Sequence, residues 1–226
     1  MATTRTLLQL RDESRQRADM EDTNFVSDAE LTGYINASGA ELYDILVTTY
    51  SDYYLTSTTS AITTGNSITV PTDFYKLRGV DFQLTSTDWI TLTKYNFERR
   101  NEKNRDILRS TRGEPTRQYR LQGSTIVIEP SAQAAGTYKI WYVPVFTALV
   151  DNTDTLDSVN FWHEYVVIDA AIKMGIKEET DVQALMIQKA GIMKRITDAA
   201  VERDIGEPER ISDSSQMHFD DFPWNN

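Results

Sequence analysis

Residues 159–174 read VNFWHEYVVIDAAIKM, and this segment is apolar around most of its circumference when it is drawn as a helix. The residues that leave little polar surface are Phe161, Trp162, Tyr165, Val166, Ile168, Ala170, Ile172 and Met174. A helix that is apolar on most sides is buried among other elements. We therefore expect this segment to be the central helix of a bundle. Ser158 is the expected N-cap, and Gly175 is expected to follow its last turn.

Two further helices are predicted before this segment and one after it. A short amphipathic helix starts at Leu7, and a longer one runs from the capping-box sequence at 27–30 to near Tyr50. A second capping-box candidate at 180–183 precedes a helix that extends to about Arg203. The inward face of this last helix is predicted from its apolar residues, which are Val182, Leu185, Met186, Met193, Ile196 and Ala200.

The part of the chain between these helices is rich in Thr and Ser and carries short alternating segments typical of strands. The sequence SAITTGNSITVP at 60–71 alternates on both sides of a Gly-Asn turn and predicts a β-hairpin closed by Pro71. The other strand candidates are 76–84, 89–93, 117–121, 124–129 and 137–143. Several short strands at this spacing predict a small sandwich or barrel.

The order of these elements gives the predicted fold class. It is α+β, with an antiparallel helix bundle, an inserted small β-sandwich or barrel-like domain, and an extended C-terminal arm. The predicted boundaries are residues 1–52 for the N-terminal helices, 53–145 for the β-domain, 146–205 for the C-terminal helices and 206–226 for the arm.

Composition excludes several classes of function. The 226 residues carry a formal net charge of −11, which disfavours nonspecific binding to duplex DNA because such binding depends on Lys and Arg. The chain has no cysteine, which rules out disulfides, zinc thiolates and Cys nucleophiles. The N-terminal residues lack the apolar core of a signal peptide, and no window approaches 18 apolar residues. We therefore expect neither a signal peptide nor a membrane span.

Motifs for catalysis are scarce. The only two histidines are His163, inside the apolar helix, and His218, near the C-terminus. We find no Ser-His-acid arrangement, phosphate-binding loop or HExxH sequence, so we expect no enzyme and no cofactor. The acids at 151, 154 and 157 could offer oxygens to a hard cation, but the alternating spacing of a calcium loop is absent. We expect no metal site.

A basic segment lies within a chain that is acidic overall. Residues 94–120 contain nine Lys and Arg against four Asp and Glu, whereas residues 202–226 contain seven acids against two Arg. One interpretation is a solvated loop with a short helix. The other is a positive patch that faces DNA or an acidic neighbouring copy in a ring. The residues predicted to form this patch are Arg99, Arg100, Lys103, Arg105, Arg109 and Arg112.

Two segments carry a resemblance to a known family. They are LLQLRDESRQRADMEDTNFVSDAELTGYINASGAELYDIL at 7–46 and YVPVFTALVDNTDTLDSVNFWHEYVVIDAAIKM at 142–174, with a Thr-rich β segment between them. Their order and content resemble the head-to-tail adaptor proteins, also called head completion or connector proteins, of tailed bacteriophages, especially short-tailed ones. The resemblance covers most of residues 4–205.

The resemblance implies a structural role in the virion. Such adaptors form a ring, usually twelvefold, beneath the portal, where they extend the DNA channel, help retain the genome and offer a platform for tail or nozzle proteins. The implied partners are the portal protein, tail proteins and further copies of the chain, and DNA passes without sequence-specific binding. The implied location is the neck at the portal vertex, after synthesis in the host cytoplasm. These adaptors are not enzymes, although some were suspected of cell-wall hydrolysis.

The end of the chain, SQMHFDDFPWNN, places three large rings in a run of small polar and acidic residues. Burying a ring contributes roughly 1.5–3 kcal/mol, whereas ordering each backbone residue costs about 1–2 kcal/mol. One tail therefore binds weakly, but several tails on one ring bind together. We predict that residues 206–226 dock as an arm on the portal or an adjacent subunit, with Phe219, Phe222 and Trp224 as anchors. The alternative is that the tail folds back on its own helices.

Two other functions stay open at this point. A virion β-domain that binds carbohydrate or another tail protein would use exposed aromatic residues at strand ends, such as Trp89 or Tyr95. A hydrolase would need a pair of carboxylates in a cleft, and the sequence does not identify such a pair.

Overall fold

The computed structural model describes residues 4–99, 117–156 and 159–202. They form a mixed α+β fold with four α-helices and several mainly antiparallel sheets. No helix in these three ranges is long and apolar enough to cross a membrane. The helices are α1 (Leu7–Ala18), α2 (Asp28–Thr49), α3 (His163–Glu178) and α4 (Gln183–Val201). The strands are β1 (Arg5–Thr6), β2 (Thr56–Ile62), β3 (Ser67–Thr69), β4 (Phe74–Gln83), β5 (Trp89–Thr91), β6 (Thr93–Lys94), β7 (Gln118–Gln122), β8 (Thr125–Glu129), β9 (Gly136–Pro144) and β10 (Thr155–Leu156).

Helix α3 packs against each of the other three helices. Its buried residues include Tyr165, Val166, Val167, Ala170 and Met174, and they share one hydrophobic cluster with residues of α1, α2 and α4. This placement follows from the sequence, because a helix that is apolar on most sides leaves water only when other helices cover each side.

The two ends of α3 differ from the prediction. The helix begins at His163, after a turn in which Asn160 and Phe161 have φ values of 48° and 64°. Ser158 lies outside the described residues, and no described side chain caps this end. The helix also continues past Gly175 to Glu178 and is capped by Glu179, which has φ 61°.

Gly175 has a packing role instead of a terminating one. A Cβ atom built there would lie 2.5 Å from Val182 Cγ1 and 3.0 Å from Thr180 Oγ1, so the segment joining α3 to α4 passes too close for any larger residue. The capping box predicted at 180–183 is also wrong. The Thr180 hydroxyl donates to the Gly175 carbonyl instead of capping α4. Helix α4 begins at Gln183 behind Val182, and the Gln183 N–H donates to the Asp181 carboxylate at 2.9 Å.

The capping box predicted at the start of α2 forms only in part. The Ser27 hydroxyl accepts a hydrogen bond from the Glu30 N–H at 3.3 Å, as expected. The Glu30 carboxylate does not complete the box, because it binds Lys177 of α3 at 2.6 Å and the Tyr34 hydroxyl at 2.7 Å. A contact between two helices thus replaces the local contact that the motif predicts.

The strands form two four-stranded sheets, in the orders β2-β9-β4-β5 and β3-β8-β7-β6, and a short β1-β10 pair. Inward residues of both larger sheets form one hydrophobic cluster: Ile62, Ile68, Val80, Phe82, Leu92, Tyr119, Ile126, Ile128, Ala134, Tyr138, Ile140 and Tyr142. The hairpin predicted at 60–71 is wrong. Strand β2 pairs with β9 and strand β3 pairs with β8, so the turn at 63–66 carries the chain from one sheet to the other.

Aromatic residues join the helices to the sheets. The ring of Tyr43 from α2 stacks on that of Tyr54 with centroids 4.3 Å apart, and its hydroxyl donates to the Pro144 carbonyl at 2.7 Å. Burial raises the pKa of Tyr43 to about 12, so this hydroxyl keeps its proton at neutral pH. Phe146 lies against Gly39, where a Cβ atom would be 2.8 Å from the ring.

A buried carboxylate connects three of the helices. Asp169 of α3 is 4% exposed, and its Oδ2 accepts hydrogen bonds from Ser38 of α2 and Lys173 of α3, both at 2.6 Å. Its Oδ1 accepts from Lys189 of α4 at 2.8 Å, and Lys189 also binds Glu41 of α2 at 3.0 Å. We call these five residues the Asp169 network.

The electrostatics of the Asp169 network favour the charged forms. Burial alone raises the pKa of Asp169, but the hydrogen bonds from Lys173, Lys189 and Ser38 outweigh burial and hold the pKa below its ordinary value. Burial lowers the pKa of Lys189, and its bonds to Asp169 and Glu41 reverse that effect and raise it. Both groups are therefore ionised at neutral pH.

We predict that Asp169→Asn lowers the free energy of unfolding by roughly 3 kcal/mol at pH 7, because breaking a buried ion pair typically costs about 3–5 kcal/mol. Asp198→Asn on the exposed side of α4 is the matched control, with an expected change within about 0.5 kcal/mol. Denaturant unfolding of the three proteins measures both differences. Equal stability of the two variants would contradict the assigned role of Asp169.

The pH dependence of this difference is a further part of the same prediction. Folding lowers the pKa of Asp169. The contribution of its charge to the free energy of unfolding is therefore complete above the unfolded pKa of about 3.9 and is lost as pH falls through the folded pKa. The stability gap between wild type and Asp169→Asn should therefore narrow below about pH 4. A gap that stays constant down to pH 2 would show that the charge of Asp169 is not what the network uses.

We predict opposite effects for two glycines of α2. Gly33→Ala should stabilise the protein by about 0.5–1 kcal/mol, since nothing lies within 4 Å of the new methyl group and alanine favours helix. Gly39→Ala should destabilise it by roughly 1–3 kcal/mol, since the methyl group displaces the Phe146 ring from the junction with the sheets. Thermal unfolding of both variants checks the signs, and a stabilising Gly39→Ala would refute this packing.

Candidate functional site

The residues predicted to form the arm and the basic patch lie almost entirely outside the described residues. Phe219, Phe222 and Trp224 belong to 203–226, which the structure does not describe. Arg99 ends a short 3₁₀ turn at Phe97–Arg99, and the other five patch residues fall in the undescribed range 100–116, namely Arg100, Lys103, Arg105, Arg109 and Arg112. Both assignments therefore stay predictions.

Two arginines that border the basic segment are engaged within the sheets. Arg117 donates from Nε to the Gln133 carbonyl at 2.8 Å, and its guanidinium lies 3.9 Å from the centroid of the Phe82 ring. Arg120 donates to the Tyr95 carbonyl at 3.3 Å and lies over the Phe97 ring. The charge of these two side chains thus supports the packing of the β region and is less available to a partner.

A charged cavity of about 370 Å³ separates α1 from the start of α3. Its two glutamates already pair with arginines, since Glu13 lies 3.1 Å from Arg5 and Glu164 is hydrogen-bonded to Arg17. His163 is 3% exposed with its Nε2 3.8 Å from Glu13, and burial lowers its pKa. Burial also raises the pKa of Glu13. The Arg17–Glu164 ion pair connects α1 to α3 beside this cavity.

The acidic run at 151–157 closes a loop. The Asp154 carboxylate accepts hydrogen bonds from the backbone N–H groups of Val150 and Asp151 at 2.7 and 2.8 Å, and these bonds lower its pKa. Asp157 lies outside the described residues. Within the described part of the chain, no group of three or more His, Asp or Glu side chains is placed to hold a metal ion.

The aromatic residues expected at a carbohydrate site are largely covered. Tyr95 is buried, with 6% of its surface exposed. Trp89 is partly buried, and the Lys139 ammonium lies 4.3 Å from the centroid of its ring. The neighbouring Trp141 donates from its ring nitrogen to Asp81 at 2.5 Å. A sugar stacks on a free ring face, so this surface gives little support to the carbohydrate alternative.

The outer side of α4 is apolar and exposed. Met186, Ile187 and Met193 are 47%, 70% and 42% exposed, and Ala190 is exposed between them. We call these four residues the α4 flank. Large apolar residues that share one side of a helix and stay exposed are typical of an interaction surface.

The sequence predicted Met186 and Met193 on the inward side of α4, and this is wrong. The residues that face the other helices are Lys189, Ile196 and Ala200, with Leu185 and Ile192 partly buried. At 3.6 residues per turn, the two methionines lie about a quarter turn from that line. Apolar periodicity does not include Lys189, the inward cation that fixes the orientation of α4.

A groove of about 370 Å³ lies on the side of α2 that faces away from α4. Its lining residues, which we call the α2 groove, are Arg11, Asp28, Ala29, Thr32, Leu149 and Val150. Asn36 holds this edge in place through two hydrogen bonds with the backbone of Leu149, at 2.8 and 2.9 Å. Val150 is 74% exposed at its rim. The groove therefore offers a partly apolar, preformed surface to a partner.

The α4 flank and the α2 groove lie on opposite sides of α2. Glu41 marks the side of α2 that faces α4, because its carboxylate binds Lys189. Ala29 and Thr32, which line the groove, project between a third and a half of a turn away from Glu41 at 3.6 residues per turn. One molecule thus presents an apolar surface on one side and a recess on the other.

Comparison with known proteins identifies a family. The model of the SU10 adaptor protein family matches residues 5–212, a range that includes all four helices and both four-stranded sheets. A comparison with curated proteins finds no match. The match confirms the resemblance to phage head-to-tail adaptors that the segments at 7–46 and 142–174 indicated. The chain therefore belongs to the SU10 adaptor protein family.

Proposed function

We propose that the protein is a structural head-to-tail adaptor of a tailed phage that forms a ring under the portal, usually twelvefold in such proteins. In this role it extends the DNA channel, helps retain the packaged genome and gives tail or nozzle proteins a surface on which to dock. The family match over residues 5–212 carries this proposal. The protein would be made in the host cytoplasm and reside in the virion neck.

The charge of the chain supports passage of DNA without capture. A formal net charge of −11 opposes tight binding to a polyanion, because nonspecific DNA affinity comes from Lys and Arg that neutralise phosphates. A wall of this charge lets a duplex slide through a channel. We propose no sequence-specific contact with DNA.

We propose the domain organisation that the sequence predicted. Residues 1–52 and 146–205 act as one antiparallel helix bundle, residues 53–145 act as an inserted β-sandwich, and residues 206–226 act as an arm. Two separate hydrophobic clusters, one among the helices and one between the sheets, support this division. Tyr43 and Phe146 of the helical part pack with Tyr54 and Val143 of the β part, which supports a direct junction between the two parts.

We propose a non-enzymatic role that needs no cofactor. The charged cavity holds the described acids Glu13 and Glu164, and each is paired with an arginine. His163 is buried beside them and has a lowered pKa. A hydrolase of the two-carboxylate type needs one free acid and one free base at its cleft, so the pairing supports a structural reading of this cavity.

The proposed function predicts that the purified protein joins the portal ring of the same phage. We expect it to sediment alone as a monomer and to co-sediment with the portal at about one copy per portal subunit, because each subunit of a ring offers an equivalent site. Analytical ultracentrifugation of each component and of the mixture measures both. Absence of binding at micromolar concentration would contradict the proposed function.

Deletion of residues 206–226 tests whether the tail acts as an arm. If the tail is an arm, the truncated protein keeps the melting temperature of the full chain but loses binding to the assembled ring or portal, because the anchors Phe219, Phe222 and Trp224 act together across copies. A lower melting temperature of the truncated monomer would indicate instead that the tail folds back on its own helices. The triple substitution of the three anchors by Ala is the matched variant at full length.

A further inference from the structure

The α4 flank is the clearest exposed apolar surface among the described residues. Its four residues occupy two turns of one helix, and three of them are large and at least 42% exposed. Scattered apolar residues are normal on a protein surface, but a continuous row on a helix marks a contact. Two of the four are methionines, whose unbranched, flexible side chains adapt well to a recess in a partner.

The α2 groove has the shape and lining to accept such side chains. Ala29 and Val150 contribute exposed apolar surface, whereas Leu149 is only 6% exposed. Arg11, Asp28 and Thr32 are the polar lining residues, and such a mixture of apolar and polar groups is usual in a protein interface. The backbone at Leu149 is fixed by Asn36, so little conformational freedom is lost on binding.

We propose that the α4 flank of one copy packs into the α2 groove of the next copy, in a head-to-tail contact that joins neighbouring subunits. This inference rests on the proposed ring. The two surfaces lie on opposite sides of α2, so no molecule can satisfy its own groove with its own flank. A contact between two different surfaces repeats from copy to copy and closes into a ring when its rotation allows.

The Asp169 network makes this contact rigid on the side of α4. Lys189 binds Asp169 and Glu41 on the inward side of the helix, about a quarter turn or less from Met186 and Met193. The contacts of Lys189 with Asp169 and Glu41 therefore fix the rotation of α4 before a partner arrives. A preorganised surface loses less entropy on association and binds more tightly for the same area.

The absence of cysteine from the sequence allows a direct test by disulfide cross-linking. We would make Met186→Cys on the flank and Val150→Cys at the groove, mix the two variants with the portal ring of the same phage, and oxidise. We expect a disulfide-linked dimer from the mixed pair, and a ladder of multimers from the double variant. Each single variant alone should give no dimer, because flank meets groove and never another flank.

Ser86→Cys, an exposed position in a β turn, replaces Met186→Cys in the control pair and should give no dimer with Val150→Cys. Dimers of Met186→Cys with itself would overturn the proposal in favour of a symmetric contact, and a cross-link from either position to the portal would assign the surface to that protein. If wild type joins the portal in many copies but the mixed pair does not cross-link, the interface is wrong and the proposed function stands. If wild type does not join the portal, the result contradicts both the proposed interface and the proposed function.

Ala190→Glu supplies a second measurement that does not depend on disulfide geometry. The residue is exposed on α4, and glutamate favours helix, so the melting temperature of the monomer should not change. We expect loss of the multi-copy complex on the portal, because a buried, unpaired carboxylate opposes the contact. Gln183→Glu, exposed near the start of the same helix and outside the flank, is the matched control and should assemble like wild type. Full assembly of Ala190→Glu would overturn the proposal.

Discussion

The Asp169 carboxylate is the constraint on which the arrangement of the helices depends. A buried charge is tolerated only when its partners satisfy it, and those partners come from α2 (Ser38), α3 (Lys173) and α4 (Lys189). Hydrophobic packing would hold these helices together at many rotations, whereas the carboxylate accepts only one. That rotation turns Lys189 inward, and the apolar flank of α4 outward as a consequence.

Several other charged residues serve the internal structure. Arg117 and Arg120 pack on aromatic rings of the β region, Glu13 of α1 pairs with Arg5 of β1, and Glu164 of α3 pairs with Arg17 of α1. The α4 flank and the α2 groove are the two surfaces on the helices that we assign to partners. Both suit the adaptor role that we propose.

Local sequence patterns predicted elements well and pairings poorly. Apolar periodicity placed most strands near their observed bounds and identified α3, although the helix is shifted from the predicted 159–174 to His163–Glu178. Burial on one face is a local property of the sequence, which is why such elements can be predicted. The pairing of β2 with β9, in contrast, joins residues between 74 (Ile62 with Gly136) and 86 (Thr56 with Tyr142) positions apart. Gly175 is explained by a contact with Val182 that exists only after α4 folds back. The sequence did not predict the α4 flank for a similar reason. Lys189 faces inward because it pairs with Asp169, which lies on another helix. The arm and the basic patch were predicted from charge and rings in residues that the structure does not describe.

The most direct test of this account is a reconstruction of the neck of the phage by electron cryo-microscopy. We predict a closed ring of this protein on the portal, with Met186 and Met193 of each copy buried against Val150 and Ala29 of the next. A ring in which the α4 flank faces solvent or the DNA channel would contradict the central claim, as would a neck that lacks this protein.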